Sequence, residues 1–228
     1  MYQIRYSEGM KAIPREVERA RPITWSREIR ELQTRLLNLN STQEGVLIGT
    51  LLGDGSLISN AYGKNYRLQI AHSTRQKEYV EWKHRVFSRW CLSKPKFQRW
   101  TDSWKFRTVS HPVFTGWHSL FYRGTKKILP SEIGGILTNP LSLAVWFMDD
   151  GTNGPKGGLT INTQNFTKEE NEALRGILKR NFHLETSLHR DKKYWRIYIF
   201  PHSRERFTGL VEQYIIPELK YKLFSLTP

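Results

Sequence analysis

Leu47-Ile48-Gly49-Thr50-Leu51-Leu52-Gly53-Asp54-Gly55 and Leu143-Ala144-Val145-Trp146-Phe147-Met148-Asp149-Asp150-Gly151 say nearly the same thing. Each is an apolar helical run that ends in an acid followed by glycine, and Asp54 and Asp150 stand 96 positions apart. A carboxylate at the C-terminal end of a helix is electrostatically awkward, because the helix dipole already places negative charge there. A cation would resolve the conflict. Two such helices predict two copies of one unit, each presenting a carboxylate to a shared divalent-metal centre.

Other landmarks repeat at nearly the same offset. Phe114-Thr115-Gly116 is echoed by Phe207-Thr208-Gly209, 93 positions later. Lys127 follows Asp54 by 73 residues and Lys222 follows Asp150 by 72. The period is too long for a solenoid, so it reads as two domain-sized halves, 41–138 and 139–228, behind an extension of residues 1–40. Trp25–Leu39 is expected to be helical there, with Ile29, Leu32, Leu36 and Leu39 on one face.

Both halves parse alike. Ser41 with Glu44 suggests a capping box for the first apolar helix, and Asn139 with Pro140 supplies an N-cap and an N1 proline for the second. Strands follow, with Tyr66, Leu68 and Ile70 alternating against Arg67 and Gln69, and Leu159, Ile161 and Thr163 against Asn162 and Gln164. Middle helices are expected at Glu78–Trp90 and Lys168–Asn181, the latter capped by Thr167 with Glu170. Second hairpins fall near Phe97–Thr108 and Ser187–Phe200, and closing helices near Val113–Tyr122 and Arg204–Ile215. The fold class is α+β, an α-β-β-α-β-β-α order used twice. Glycines at 45, 49 and 53 of the first helix predict close backbone approach to its counterpart, which would bring Asp54 and Asp150 together.

The chain of 228 residues carries a formal net charge of +15, a balance that points to a polyanion and most simply to nucleic acid. Residues 61–110 hold twelve Lys/Arg against three acids, interleaved with ten aromatics. In the hairpin strands Lys105 and Arg107 oppose Trp104 and Phe106, and Tyr194, Arg196 and Tyr198 oppose Trp195, Ile197 and Ile199, so one face is a core and the other a basic surface. Candidate DNA contacts are Lys64, Arg67, Gln69, Arg75, Arg99, Lys105, Arg107, Asn162, Gln164, Arg190, Lys192, Lys193 and Arg196. The single Cys91 excludes an intrachain disulfide and a Cys-rich zinc site, and points to a reducing intracellular setting. No apolar run reaches membrane-spanning length.

With the two motifs, the spacing and the paired lysines together, residues 41–228 resemble the LAGLIDADG homing endonucleases, in their monomeric, double-motif form. Val145 departs from the pattern where glycine is usual, and Asp149 adds an acid where a small residue often sits. The resemblance implies two pseudo-symmetric halves with the motif helices at the centre and antiparallel sheets forming a saddle over double-stranded DNA. It implies Asp54 and Asp150 as catalytic metal ligands, the carbonyls of Gly53 and Asp149 as supplementary ligands, and Lys127 and Lys222 as the paired basic residues. The expected cofactor is Mg²⁺ or Mn²⁺, which suits a hard-oxygen site. The expected activity is site-specific double-strand cleavage of a long asymmetric target by phosphodiester hydrolysis, with one strand per half.

The scattered histidines, His111 and His118 included, lack a zinc or His-metal context, Ser110 and Ser203 sit on no nucleophile elbow, and the glycines at 154–158 form no phosphate cradle. Two alternatives use the same scaffold: an RNA maturase with intron RNA as partner, and a cleavage-inactive DNA-binding regulator. The setting is expected to be an organelle, mitochondrion or chloroplast, or a prokaryotic cytoplasm. The acids among residues 1–40 argue against a transit peptide.

Overall fold

A computed structural model describes residues 27–36, 38–59 and 64–224. They fall into two compact units, divided after Leu36. In the first, α1 (Arg27–Arg35) is braced by an Arg27–Glu31 pair one turn apart. Trp25 lies outside the described residues. Leu39 is not part of a helix; it is buried in the second unit.

The centre of the second unit is the pair α2 (Ser41–Leu52) and α6 (Pro140–Asp150). Residues 45–52 and 141–149 are buried. A helix apolar on all sides must be covered on all sides, and these two cover each other first. The glycines of α2 make the approach feasible. A Cβ on Gly49 would lie 2.6 Å from Val145 Cβ and 2.9 Å from the Trp146 nitrogen, and would also strike the Ser142 carbonyl. One on Gly53 would lie 2.5 Å from Asp149 Cβ. Space provided by one helix is enough, which is why Val145 can stand where the pattern has glycine.

The cap of α2 falls one residue before the expected Ser41–Glu44 box. Asn40 accepts from the Gln43 N–H (2.9 Å), and Gln43 Oε1 accepts from the Asn40 N–H (3.1 Å). Gln43 also donates to the Val86 carbonyl (3.0 Å), so tertiary contact selects this register. The second cap is as expected: Asn139 accepts from the Leu141 N–H (2.9 Å), with Pro140 in the first turn.

After α2 come β1 (Ser56–Ser59), β2 (Tyr66–Ser73), α3 (Lys77–Val86), β3 (Lys96–Gln98), β4 (Ser103–Arg107) and α4 (Pro112–Phe121). A small hairpin, β5 (Tyr122–Arg123) with β6 (Lys126–Lys127), and the short α5 (Ile133–Ile136) lead into α6. The second half continues with β7 (Gly151–Asn153), β8 (Leu159–Ile161), α7 (Lys168–Phe182), β9 (Thr186–Asp191), β10 (Tyr194–Ile199) and α8 (Pro201–Val211), closed by 3-10 turns at Glu212–Tyr214 and Pro217–Lys222. The two four-stranded antiparallel sheets have the same order, β1-β2-β4-β3 and β7-β8-β10-β9. Phe114 in α4 and Phe207 in α8 are both fully buried, so the repeated Phe-Thr-Gly marks equivalent helices. Among the described residues, the β5–β6 hairpin and α5 have no counterpart in the second half.

Tyr198 differs from its expected place on an open basic face. It is 5% exposed, because the loop at 154–158 folds over it. The ring stacks on His189 (4.5 Å between centroids), and a Cβ on Gly158 would collide with the phenol. Gly154 and Gly158 allow that approach, while Gly157 serves the turn with its φ of 80°. Among the described residues, no helix is long and apolar enough to cross a membrane.

Candidate active site

The motif helices deliver their acids at the same level. Gly53 caps α2 and Asp54 follows it, while Asp150 is the last residue of α6. Each C-terminal end meets one lysine. Lys127, on β6, donates to the carbonyls of Gly53 (2.8 Å) and Gly55 (2.9 Å). Lys222, on the last 3-10 turn, donates to those of Met148 (2.5 Å) and Asp149 (3.0 Å). These ammonium groups offset the negative helix ends. The carbonyls of Gly53 and Asp149, expected as supplementary metal ligands, thus already accept from lysines; each retains a second lone pair. Burial pushes both lysines below the usual lysine range, and Asp149, Asp150 and Asp54 counter it.

The acids are held against their own repulsion. Burial, then Asp54, then Asp149 push the Asp150 carboxyl up to about 8, with Lys127 and Lys222 opposing. Burial and then Asp149 raise Asp54 as well, although 52% of its side chain remains open to solvent, which tempers the effect. The repulsion between the carboxylates is relieved either by a proton or by a bound divalent ion. The donors are carboxylate and carbonyl oxygens with no thiolate, a set that fits Mg²⁺ or Mn²⁺.

The basic candidates divide unequally. Arg67 and Gln69 on β2 adjoin Lys105 and Arg107 on β4, with Gln69 directly opposite Arg107. Burial and then the like charge of Arg107 push the Arg67 guanidinium below its usual range. Lys64 is exposed just before β2, and Arg99 lies in the β3–β4 connection. Arg75 is displaced from the sheet into the 3-10 turn after β2. In the second half Arg196 pairs with Asp191, which also accepts from Gln164 (3.4 Å). Arg190, on β9, donates to the Lys192 carbonyl (2.9 Å), and Lys192 and Lys193 form the turn. The Asn162 main-chain and side-chain N–H groups both donate to the Asp150 carbonyl (3.0 and 2.8 Å), so this residue braces the end of α6.

The model of the LAGLIDADG DNA endonuclease family matches residues 44–207. The chain belongs to this family. A probable intron-encoded endonuclease 1 of Wickerhamomyces canadensis is 33% identical over 211 residues, spanning 87% of this chain and 90% of that protein. The cytochrome b mRNA maturase bI2 of Debaryomyces hansenii is 30% identical over 190 residues, 78% of this chain and 72% of the relative. The structure of the homing endonuclease I-WcaI bound to its DNA recognition sequence superposes with a TM-score of 0.81 at 32% identity, covering 92% of this chain and 96% of that one. I-DmoI, solved with DNA and Mn, shares the fold at a TM-score of 0.54 and 18% identity, over 76% of this chain and 97% of that one.

In this LAGLIDADG protein the departure at Asp149 has a physical reading. Its side chain is fully buried and forms an ion pair with Lys83, itself 0% exposed, at 2.7 Å. Tyr79 Oη donates to the same carboxylate oxygen (2.7 Å), and the other oxygen accepts from the Asp54 main-chain N–H (3.2 Å). His72 completes the cluster, with Nδ1 3.6 Å from Asp54 and Nε2 3.8 Å from Asp149. Burial alone would raise Asp149, but the Lys83 ammonium beside it and the hydrogen bonds from Lys83 and Tyr79 outweigh it and hold the carboxyl below the usual range. Burial, then Lys83, push His72 down to about 4, so the ring is neutral. Asp54, His72 and Asp149 bring potential ligand atoms within 4.8 Å of one another, yet Asp149 already has its cation in Lys83.

Sequence reasoning passed over this cluster. The alternation Leu68, Ile70, His72 already puts His72 on the buried face, and Tyr79 and Lys83 are one helical turn apart beside buried Val80.

Proposed function

We propose that this protein is a site-specific homing endonuclease that makes double-strand breaks in a long asymmetric DNA target. The carrying observation is the convergence of Asp54 and Asp150, with one lysine at each helix end, in a fold that matches a DNA-bound homing endonuclease over 92% of the chain. Asp54 and Asp150 would hold Mg²⁺ or Mn²⁺, with the carbonyls of Gly53 and Asp149 as supplementary ligands. An ion held by these residues would supply charge neutralisation at the phosphate and activation of a water. Lys127 and Lys222 set positive charge beside the carboxylates, where negative charge develops during phosphodiester hydrolysis. With one acid and one lysine per half, each half serves one strand.

The first sheet's Arg67, Gln69, Lys105 and Arg107, with Lys64 and Arg99 at its margins, form the more strongly charged DNA surface. Gln164, Arg190, Lys192, Lys193 and Arg196 form the second, while Arg75 and Asn162 contribute less directly. The protein acts as a monomer, since one chain supplies both motifs. An intron of an organellar gene is the setting that the intron-encoded and maturase relatives favour.

The test is cleavage of a duplex library containing the intronless host locus, with Mg²⁺ and with EDTA, by the wild type, Asp54→Asn and Asp150→Asn. Discrete double-strand cuts that require metal and both acids are expected. Tight binding without cutting would overturn the reading in favour of a regulator. A second reading, a maturase acting on intron RNA, is favoured by the relative named as one; splicing assistance without DNA binding or cutting would select it.

A further inference from the structure

Among the described residues, the buried charge cluster exists on one side of the molecule only. Lys83 on α3 anchors Asp149, and Asp149 reaches across the interface between halves to fix the Asp54 main chain. Tyr79 donates its single hydroxyl hydrogen to the same carboxylate, and its Oη lies 3.3 Å from the Val145 carbonyl, which sets α3 against the motif helix of the other half. His72, 3.4 Å from Lys83 Nζ, closes the cluster against the Asp54 side chain. Among the described residues no buried ion pair supports Asp150, whose carbonyl instead accepts from Asn162. The residue before Asp54 is Gly53, which has no side chain to reach back. The buried residues of α7, the middle helix of the second half, are Asn171, Leu174, Ile177, Leu178 and Phe182, with no charge among them.

A fully buried ion pair is a poor way to gain stability, because desolvation offsets most of its attraction. It is a good way to fix geometry, since a charge with its bonds satisfied tolerates little displacement. We infer that Lys83, Tyr79 and Asp149 are positioning residues whose direct contact is with Asp54, so that the two strand-cutting centres are held by different means and a loss here falls first on the Asp54 centre. Outer-shell partners of metal ligands commonly change metal affinity or activity by about 10–100-fold when removed; here that loss falls on one strand.

This rests on the endonuclease reading, and the experiment separates the two. A duplex target carrying a different fluorophore on each strand is cut with Mg²⁺ by the wild type, Tyr79→Phe, Lys83→Met and the double variant Lys83→Met/Asp149→Asn. The ratio of the two strand rates is expected to shift about tenfold in all three variants, with a nicked intermediate accumulating. Tyr79→Phe removes one hydrogen bond and keeps the fold. The double variant removes the pair together, so its melting temperature recovers relative to Lys83→Met while the rate ratio stays shifted, a split that a purely structural role would not produce. Failure of the wild type to cut overturns the endonuclease reading. A wild type that cuts, with variants that slow both strands equally or neither, overturns the inference alone.

Discussion

Gly49→Ala tests the central helix packing with one methyl group. The added carbon would sit 2.6 Å from Val145 Cβ and 2.9 Å from the Trp146 nitrogen, and would strike the Ser142 carbonyl. Two of these three obstacles are backbone, so no rotamer change relieves them and α2 must move away from α6. Overpacking of this kind costs about 1–3 kcal/mol, and contact with backbone places it near the upper end. Against it stands the helix propensity that alanine gains over glycine, about 1 kcal/mol. The net is a loss of about 2 kcal/mol, or roughly 4–8 °C in melting temperature for a chain of this size. Gly116→Ala and Gly209→Ala are the controls. Both glycines lie in helices with nothing within 4 Å of a new Cβ, so each should raise the melting temperature by about 1–4 °C. Val145→Gly should not rescue Gly49→Ala fully, since the Ser142 carbonyl remains. Thermal melts followed by circular dichroism decide it. A Gly49→Ala protein as stable as its controls would mean the helices are not in the close contact described, and the proximity of Asp54 and Asp150 would fall with it.

Asp150, raised to about 8 from a reference of 3.8, binds its proton more tightly when folded. Its stabilisation is therefore complete below about pH 4 and is lost as pH rises through 8, at up to about 1.4 kcal/mol per pH unit. Melting of the metal-free protein should fall across that window, Asp150→Asn should flatten the fall, and Mg²⁺ or Mn²⁺ should restore stability only to the wild type; a pH-independent difference between the two proteins would refute this. Gly158→Ala places a methyl group against the Tyr198 phenol and should lower the melting temperature by several degrees, whereas Tyr198→Phe combined with it should recover part of the loss. If Arg107 faces phosphate, Arg107→Ala should reduce the slope of log affinity against log salt by about 0.9, measured by fluorescence anisotropy on duplex DNA; an unchanged slope would remove this residue from the DNA surface.

The fold was legible because its signals are local. Alternation in Tyr66–Ile70 and the Thr167–Glu170 box each specify an element without knowledge of the rest of the chain, and the observed β2 and α7 follow. Registers set by distant partners were not legible. Asn40 rather than Ser41 caps α2 because Gln43 is also bound to the Val86 carbonyl and approached by Trp90 Nε1 at 3.4 Å. Tyr198 is buried because a loop 40 residues earlier closes on it. The β5–β6 hairpin was missed because two-residue strands carry no periodicity. Lys83 is the most instructive miss: a lysine on a helix is ordinarily a solvated charge, and what buries this one lies 66 residues away in Asp149.

Asp54, Asp150, Lys127 and Lys222 stood out because they break the local rules of the segments that hold them: acids at negative helix ends, and a lysine at a matched distance from each. Such violations persist where function requires them. Asp149 broke the same rule, one position earlier, and geometry assigns it differently. Two adjacent acids at a helix end cannot both face a metal, because successive helical residues point about 100° apart. Asp150 faces the partly open side with Asp54, and Asp149 faces the interior, where only a buried cation could satisfy it. Asp149 on the inner face of α6 keeps its charge because Lys83 on α3 supplies a buried counter-ion. The extra acid is therefore a consequence of the packing that brings the halves together, and it ties Asp54 to the half that does not encode it.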